Sequence, residues 1–433
     1  MRVGGAPDAY VEATSEQELI DSIRSADSAG IPVLVLGRGS NIVVADEGFS
    51  GLVVRDTRQG FTHVTAEPCG GAKFTVAAGQ DWDDMVAYAI DQQWVGLEAL
   101  SGIPGTVGAA PVQNIGAYGQ EAAQTIASVR TWDRATNRKR TFAASELQFG
   151  YRMSILKQSM QAPWGTGGDD DGAGSGDGAG AGDDAGAGSG PGVASETGAG
   201  AGLGAAAQPV PGSPLWFPSP RFVVLDVTFQ TKMGNLSAPI AYPELARTLG
   251  VDTGRRAPAT AVREAVLAIR GAKGMLEDGR FGSPPGADHN RWSAGSFFTN
   301  PILTVADADL LLPKEAPRYP VRASGQARSS QGRSEPGQSG LDRSARRADV
   351  IDPTVVKTSA AWLIEHAGFK RGYGIDGADS AASLSTEHTL ALTNRGGAST
   401  SDIAALARAV RGGVYASYGV LLEAEPVLVG WTI

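Results

Sequence analysis

SGIPGTVGAAPVQNIGAYG, residues 101–119, is the stretch on which the fold turns. It holds five glycines, two prolines and no charged residue. Glycine and proline weaken both helices and strands, so the run makes neither. Irregular backbone usually lies over a surface, yet the absence of charge argues that this stretch is covered. Covered backbone must find hydrogen-bond partners, and a large flat cofactor with carbonyl and ring-nitrogen groups would supply them.

Upstream, a βαβ pattern leads toward this run. Ser15 and Glu18 have capping-box spacing, Leu19, Ile20, Ile23 and Ala26 share one helical face, and Gly30 closes the helix. An apolar strand at 32–36 then enters GRGSN, residues 37–41, followed by short strands at 42–45 and 51–55. The glycines of GRGSN let backbone approach a ligand, and its amides with Ser40 and Asn41 can satisfy phosphate oxygens, although a plain tight turn fits the same residues. No helix follows and a third glycine is missing, which excludes the Rossmann fingerprint. A helix over 81–93 starts on Asp81 and buries Trp82, Met85, Val86, Ala89 and Ile90. Downstream lie a strand at 221–230, a helical stripe of Ile403, Leu406, Ala407, Val410 and Val414, and a strand at 420–429. The alternation indicates an α+β or α/β chain of several small domains.

Two stretches depart from this pattern. Residues 165–212 are nearly all Gly, Ala, Asp and Ser, hold 18 of the 59 glycines and carry −7 of the net −9; they are expected to be a disordered loop. Residues 322–349 have six arginines against three acids. Setting both aside leaves −5, so 37 basic against 46 acidic residues gives no footprint for nucleic acid or an anionic membrane. The single cysteine, Cys69, forms no intramolecular disulfide, and the four histidines lack zinc-site spacing, so no metal is expected. No apolar run approaches the ~18 residues of a membrane span, and a cytoplasmic protein is expected. His366 reads as a helix C-terminal residue and His388 as structural.

Several polar residues could carry chemistry. Arg152, in FGYRMS, can hold a carboxylate bidentately or serve a structural ion pair. Ser296, in WSAGSFFTNP, can donate a proton or simply occupy a turn. Glu423 and Glu425 share a strand face, the usual setting of solvated acids.

Taken in order, GRGSN, SGIPGTVGAAPVQNIGAYGQE, FGYRMS followed by LK, AGSFFTNP and a terminal LEAE resemble the UDP-N-acetylenolpyruvoylglucosamine reductase (UDP-N-acetylmuramate dehydrogenase) family, first subtype, across nearly the whole chain outside the two biased stretches. The resemblance implies an α+β fold: a two-lobed FAD-binding domain of the p-cresol-methylhydroxylase type plus a C-terminal α+β substrate-binding domain. Lobe 1 would span 1–55, lobe 2 56–232 and the substrate domain 233–433. It implies NADPH-dependent reduction of UDP-N-acetylglucosamine enolpyruvate to UDP-N-acetylmuramate through non-covalent FAD, in peptidoglycan precursor synthesis, by a monomer. Ser296 would be the general acid, Arg152 the cation that polarises the enolpyruvyl carboxylate, and Glu425 its partner. Gly37, Arg38, Gly39, Ser40 and Asn41 would grip FAD, with Gly102, Ile103, Pro104, Gly105, Gly108, Asn114, Gly116, Ala117 and Tyr118. Tyr242, of the subtype's closing loop, Lys273 and Asn300 would meet the sugar nucleotide. The chain opens at MRVGG where the family usually carries some tens of residues more, so a start upstream and a missing flavin-lobe strand are expected. Pro426 places the terminal strand at an edge or bulge. A rival is a sugar or alcohol oxidase of the wider flavin superfamily, which often tethers FAD through His or Cys; neither Cys69 nor a histidine lies in the two flavin loops. A degenerate nucleotide-sugar-binding relative is the non-enzyme alternative.

Overall fold

A computed structural model of the chain describes residues 1–67, 70–160, 219–277, 279–281, 286, 288–322 and 351–433. Cys69, the 165–212 stretch and residues 323–349 lie outside them. Near the N-terminus, strands Pro7–Ala13, Phe49–Asp56 and Val33–Leu36 form a parallel sheet in that order. Helix Glu16–Ser28 is the crossover that carries the chain from one outer strand, Pro7–Ala13, to the other, Val33–Leu36, leaving room for Phe49–Asp56 between them. Ser15 caps the helix by accepting from the Glu18 amide at 3.1 Å. Its apolar face, Leu19, Ile20, Ile23 and Ala26, packs on Val33, Val54, Val223 and Leu225. Gly30, at φ +67°, turns the chain out of the helix.

A larger antiparallel sheet runs Arg138–Ala143, Ile126–Asp133, Phe222–Met233, Gly71–Ala77 and Phe61–Glu67. The strand expected at 221–230 is longer because its far end also pairs with Trp94–Val95. Helix Trp82–Asp91 covers this sheet. Phe74 stacks on Trp94 at 4.7 Å and on Phe229 at 5.4 Å, with Trp82 and Met85 fully buried beside them. Asp81 caps the helix, as its position predicts. Residues 101–119 lie against this core as two tight turns and a ribbon of Gly116–Ala117 with Gln120–Glu121. The stretch is covered: a Cβ on Gly108 would come within 2.6 Å of Ala78 Cβ.

The C-terminal part has helices Pro243–Leu249 and Ala259–Ala272, a sheet of Ile302–Thr304, Ile351–Thr358 and Arg318–Arg322, and helices Ala360–His366 and Thr400–Tyr418. Ser399 and Asp402 form a capping box on the last helix, and Ile403, Leu406, Ala407, Val410 and Val414 are buried as their spacing predicts. The terminal strand is only Val427–Val429 and pairs in parallel with Ile42–Val44. The expected strand over 420–429 is interrupted because Pro426 has no amide hydrogen to place in a ladder. The preceding residues instead bridge to 297–299: Glu425 N donates to Phe297 O at 2.8 Å and Thr299 N to Glu423 O at 3.0 Å. No helix among the described residues is long and apolar enough to cross a membrane.

Candidate active site

One cavity of about 820 Å³ collects residues from both ends of the chain. Its first wall is Gly37, Arg38, Gly39, Ser40 and Asn41, leaving strand Val33–Leu36. Gly39 holds φ +69°, and a Cβ on Gly37 would meet Thr106 Oγ1 at 2.8 Å, so both positions need glycine. Ser40 Oγ donates to Pro104 O at 2.9 Å and joins this wall to the next. Asn41 Nδ2 donates to Gln113 Oε1 at 2.9 Å. Arg38 is engaged by carboxylates, Asp81 at 3.3 Å and Glu277 closer still.

Ile103, Pro104, Gly105, Gly108, Gly116, Ala117 and Tyr118 make the second wall. Gly102 and Asn114 do not reach the lining. Gly102 N donates to Asp83 and its carbonyl accepts from Arg270 Nε at 3.1 Å. Asn114, 1% exposed, spans the loop from behind to Glu121, Gly150 O and Ala123 N. Both shape the wall without facing the cavity.

At one end stands Arg152. Its turn is closed by Gly150 N to Met153 O at 3.0 Å and by Met153 N to Gly150 O at 3.3 Å. Arg152 sits at the third position with φ +56°, a backbone region that costs an L-residue about 1–2 kcal/mol. Its side chain doubles back, Nε to Glu425 Oε1 and Nη2 to Gly116 O, each at 2.8 Å. Burial works against the guanidinium charge, but Glu425 and Tyr151 outweigh it and the pKa rises. Ser296 lines the same cavity between Gly295, at φ +75°, and the buried Phe297–Phe298 pair. Its hydroxyl has no hydrogen-bond partner among the described residues.

Tyr242, Lys273 and Asn300 also line the cavity. Tyr242 stands before Pro243 at the first position of its helix, 40% exposed, edge-on to Tyr118 at 5.4 Å. Lys273 Nζ pairs with Glu244 at 2.6 Å. Asn300 bridges elements, Nδ2 to Tyr151 Oη at 3.1 Å and Oδ1 from Ala360 N at 3.0 Å. Among the described residues no cluster of His, Cys, Asp and Glu could hold a metal.

Two domain families cover much of this framework. Residues 7–139 match an FAD-binding domain, and residues 287–429 match the C-terminal domain of UDP-N-acetylenolpyruvoylglucosamine reductase. Along its full length the chain is 41% identical to the UDP-N-acetylenolpyruvoylglucosamine reductase of Cutibacterium acnes, covering 100% of this chain and 88% of that one. The chain belongs to the UDP-N-acetylenolpyruvoylglucosamine reductase family. The Thermobifida fusca reductase is 38% identical, over 100% of this chain and 95% of its own. The crystal structure of the Thermus caldophilus UDP-N-acetylenolpyruvylglucosamine reductase is 20% identical with a TM-score of 0.48, covering 97% of this chain and 91% of that one. The fold is therefore an FAD-binding domain of the p-cresol-methylhydroxylase type joined to the reductase C-terminal domain.

Three cavity or near-cavity residues escape the sequence reading of this reductase. Arg270 lines the cavity at 7% exposure, bonded to the carbonyls of Gly102 and Met275. Burial presses its pKa down, opposed by Tyr118 and Asp83. Its neighbour Tyr118 is pushed up to about 12, chiefly by burial. The signal was present: Arg270 continues the buried stripe Val262, Val266 and Ile269, where an arginine is out of place. His388 lines the cavity too, instead of being only structural, and burial, then Lys273 and Arg371, hold it at about 4. Lys157, 4% exposed, stands directly behind Arg152. Burial and then Arg152 press its pKa down, while Glu425 opposes.

Proposed function

We propose that this chain reduces UDP-N-acetylglucosamine enolpyruvate to UDP-N-acetylmuramate with NADPH and non-covalent FAD, supplying peptidoglycan precursor synthesis. The observation that carries the reading is the Arg152–Glu425 ion pair on the wall of the cavity that Ser296 also lines. The residues fit a flavin dinucleotide: the cavity has the size of ligand clefts, roughly 300–1,000 Å³, one side is glycine-rich backbone, and a buried guanidinium faces it. Gly37, Gly39, Ser40 and Asn41 would hold the diphosphate, residues 103–118 the ring system, and Arg270 an anionic group of the cofactor or substrate. When bound, FAD supplies hydride taken from NADPH to the enolpyruvyl double bond.

This chain's residues supply the rest. Arg152 uses two guanidinium nitrogens on Glu425 and Gly116 O, which aims the third, Nη1, past Gly116. There it would meet the substrate carboxylate, onto which negative charge spreads as hydride arrives. Glu425 keeps the guanidinium in place, so the interaction is ready before charge develops and strengthens in the transition state. Ser296, its hydroxyl unengaged among the described residues, would deliver the proton to the carbon beside that carboxylate. Tyr242 would close over the substrate diphosphate, Lys273 would exchange Glu244 for it, and Asn300 would contribute its second amide hydrogen. The division into 1–55, 56–232 and 233–433, a monomeric state and a cytoplasmic location belong to the same proposal.

The test is to purify the chain, record its flavin spectrum and follow NADPH oxidation with and without the enolpyruvyl nucleotide. Oxidation that requires the substrate, without peroxide, is expected. Substrate-independent oxidation with peroxide release would favour the oxidase, and a colourless inactive protein the degenerate relative.

A further inference from the structure

Lys157 takes no part in the chemistry above, yet its ammonium is placed where burial disfavours it. The side chain leaves helix Ile155–Gln158, whose N-cap Ser154 is fully buried and donates to Val112 O in the second wall. Lys157 N donates to Ser154 Oγ at 3.2 Å, and Lys157 Nζ donates to the Arg152 carbonyl at 3.2 Å. Buried lysines are rare without a reason, and here Arg152, five residues earlier, carries the same charge. A methionine would fill similar volume without desolvating an ion, so packing alone does not account for the choice. The bond to the Arg152 carbonyl is one that a methionine would lose. The two hydrogen bonds of the turn run between Gly150 and Met153 and leave the Arg152 peptide outside their pairing. A non-glycine residue at φ +56° in that position persists only when its surroundings hold it.

We propose that Lys157 is a positioning residue: by holding the Arg152 carbonyl it keeps the left-handed turn in the form that aims the guanidinium at Glu425 and Gly116 O. The inference rests on the proposed role of Arg152 toward the substrate carboxylate. Loss of the ammonium would let the 151–153 peptides rotate and take the guanidinium off Glu425, while NADPH and flavin binding stay intact.

Stopped-flow absorbance on the flavin-loaded enzyme separates reduction of bound flavin by NADPH from its reoxidation by UDP-N-acetylglucosamine enolpyruvate. Lys157→Met should slow reoxidation at saturating substrate by about tenfold or more, with KM changed less than about threefold. Flavin reduction, flavin content and melting temperature should match the wild type. Lys157→Arg, which can still donate to the carbonyl, should recover part of the rate. In an Arg152→Lys background Lys157→Met should add less than about twofold, because the two residues act as one unit. Where the Met variant takes up no flavin, Lys157→Gln, a shorter neutral donor, should show the same slowing of reoxidation alone. Wild-type reoxidation in Lys157→Met (or in Lys157→Gln where that variant stands in), losses in both half-reactions that follow flavin content or melting temperature, or full multiplicative loss in the Arg152→Lys background would overturn the proposal. If the wild-type enzyme is itself not reoxidised by this substrate, the functional reading fails first; normal wild-type turnover with an unaffected Lys157 variant sinks the Lys157 role alone.

Discussion

Arg152 carries its charge on a left-handed backbone and spends two of its three guanidinium nitrogens on protein oxygens. This geometry depends on Gly116, where a Cβ would stand 3.0 Å from Arg152 Nη1 and 2.8 Å from Gln120 O. Gly116→Ala should therefore lower kcat per bound flavin about tenfold or more, read by steady-state NADPH oxidation normalised to flavin content. His388 gives a pH prediction. Its native pKa of about 4 lies below the ordinary 6.5, so between these values the unfolded chain binds the proton and the native one does not. Stability from this group is present above pH 6.5 and is lost as pH falls toward 4. A His388→Gln variant should show a flatter fall of urea midpoint across that window than the wild type. Arg152, Ser296 and Glu425 were legible because each sits in a local motif. Lys157 and His388 were not, since one depends on a carbonyl five residues back and the other on a cavity wall that only folding creates.

At the scale of elements, strand Val427–Val429 holds Ile42–Val44 and thereby brings Glu425 to the end of the GRGSN wall, where Asn41 Nδ2 lies 3.4 Å from Glu425 O. Leu428, 8% exposed in this pairing, packs into the C-terminal core. Leu428→Ala should cost about 2–5 kcal/mol in urea unfolding and lower the flavin content of the purified protein. The helices Glu16–Ser28, Trp82–Asp91 and Thr400–Tyr418 were read from sequence because caps and apolar stripes are local, Ser15, Asp81 and Gly30 standing where their chemistry requires, whereas Pro243–Leu249 and Ala259–Ala272 were not read. The terminal strand was not. Apolar residues on both sides of Pro426 look continuous along the chain, but the missing amide hydrogen divides them between two different partners.

For the whole molecule, the cavity is built by segments as distant as Gly37 and Val427, so a bound ligand ties the two ends of the chain together. Removing flavin should lower the melting temperature, and adding FAD back should raise it with ligand concentration, by ~2.7 kcal/mol of stability at a hundred times Kd. The flavin framework was visible from sequence in the uncharged glycine-rich run, which alone needed a large partner. That Gly102 and Asn114 would stand behind that run was not, because composition does not tell which side of a covered loop faces the ligand.

In the proposed reaction Ser296 protonates a substrate whose charge Arg152 and Glu425 stabilise. A single-turnover experiment on Ser296→Ala addresses it most directly, reducing the bound flavin with NADPH and then adding the enolpyruvyl nucleotide. Reduction at the wild-type rate followed by reoxidation slowed by ~10²-fold or more is the expected result. Reoxidation at the wild-type rate, with UDP-N-acetylmuramate formed, would contradict it.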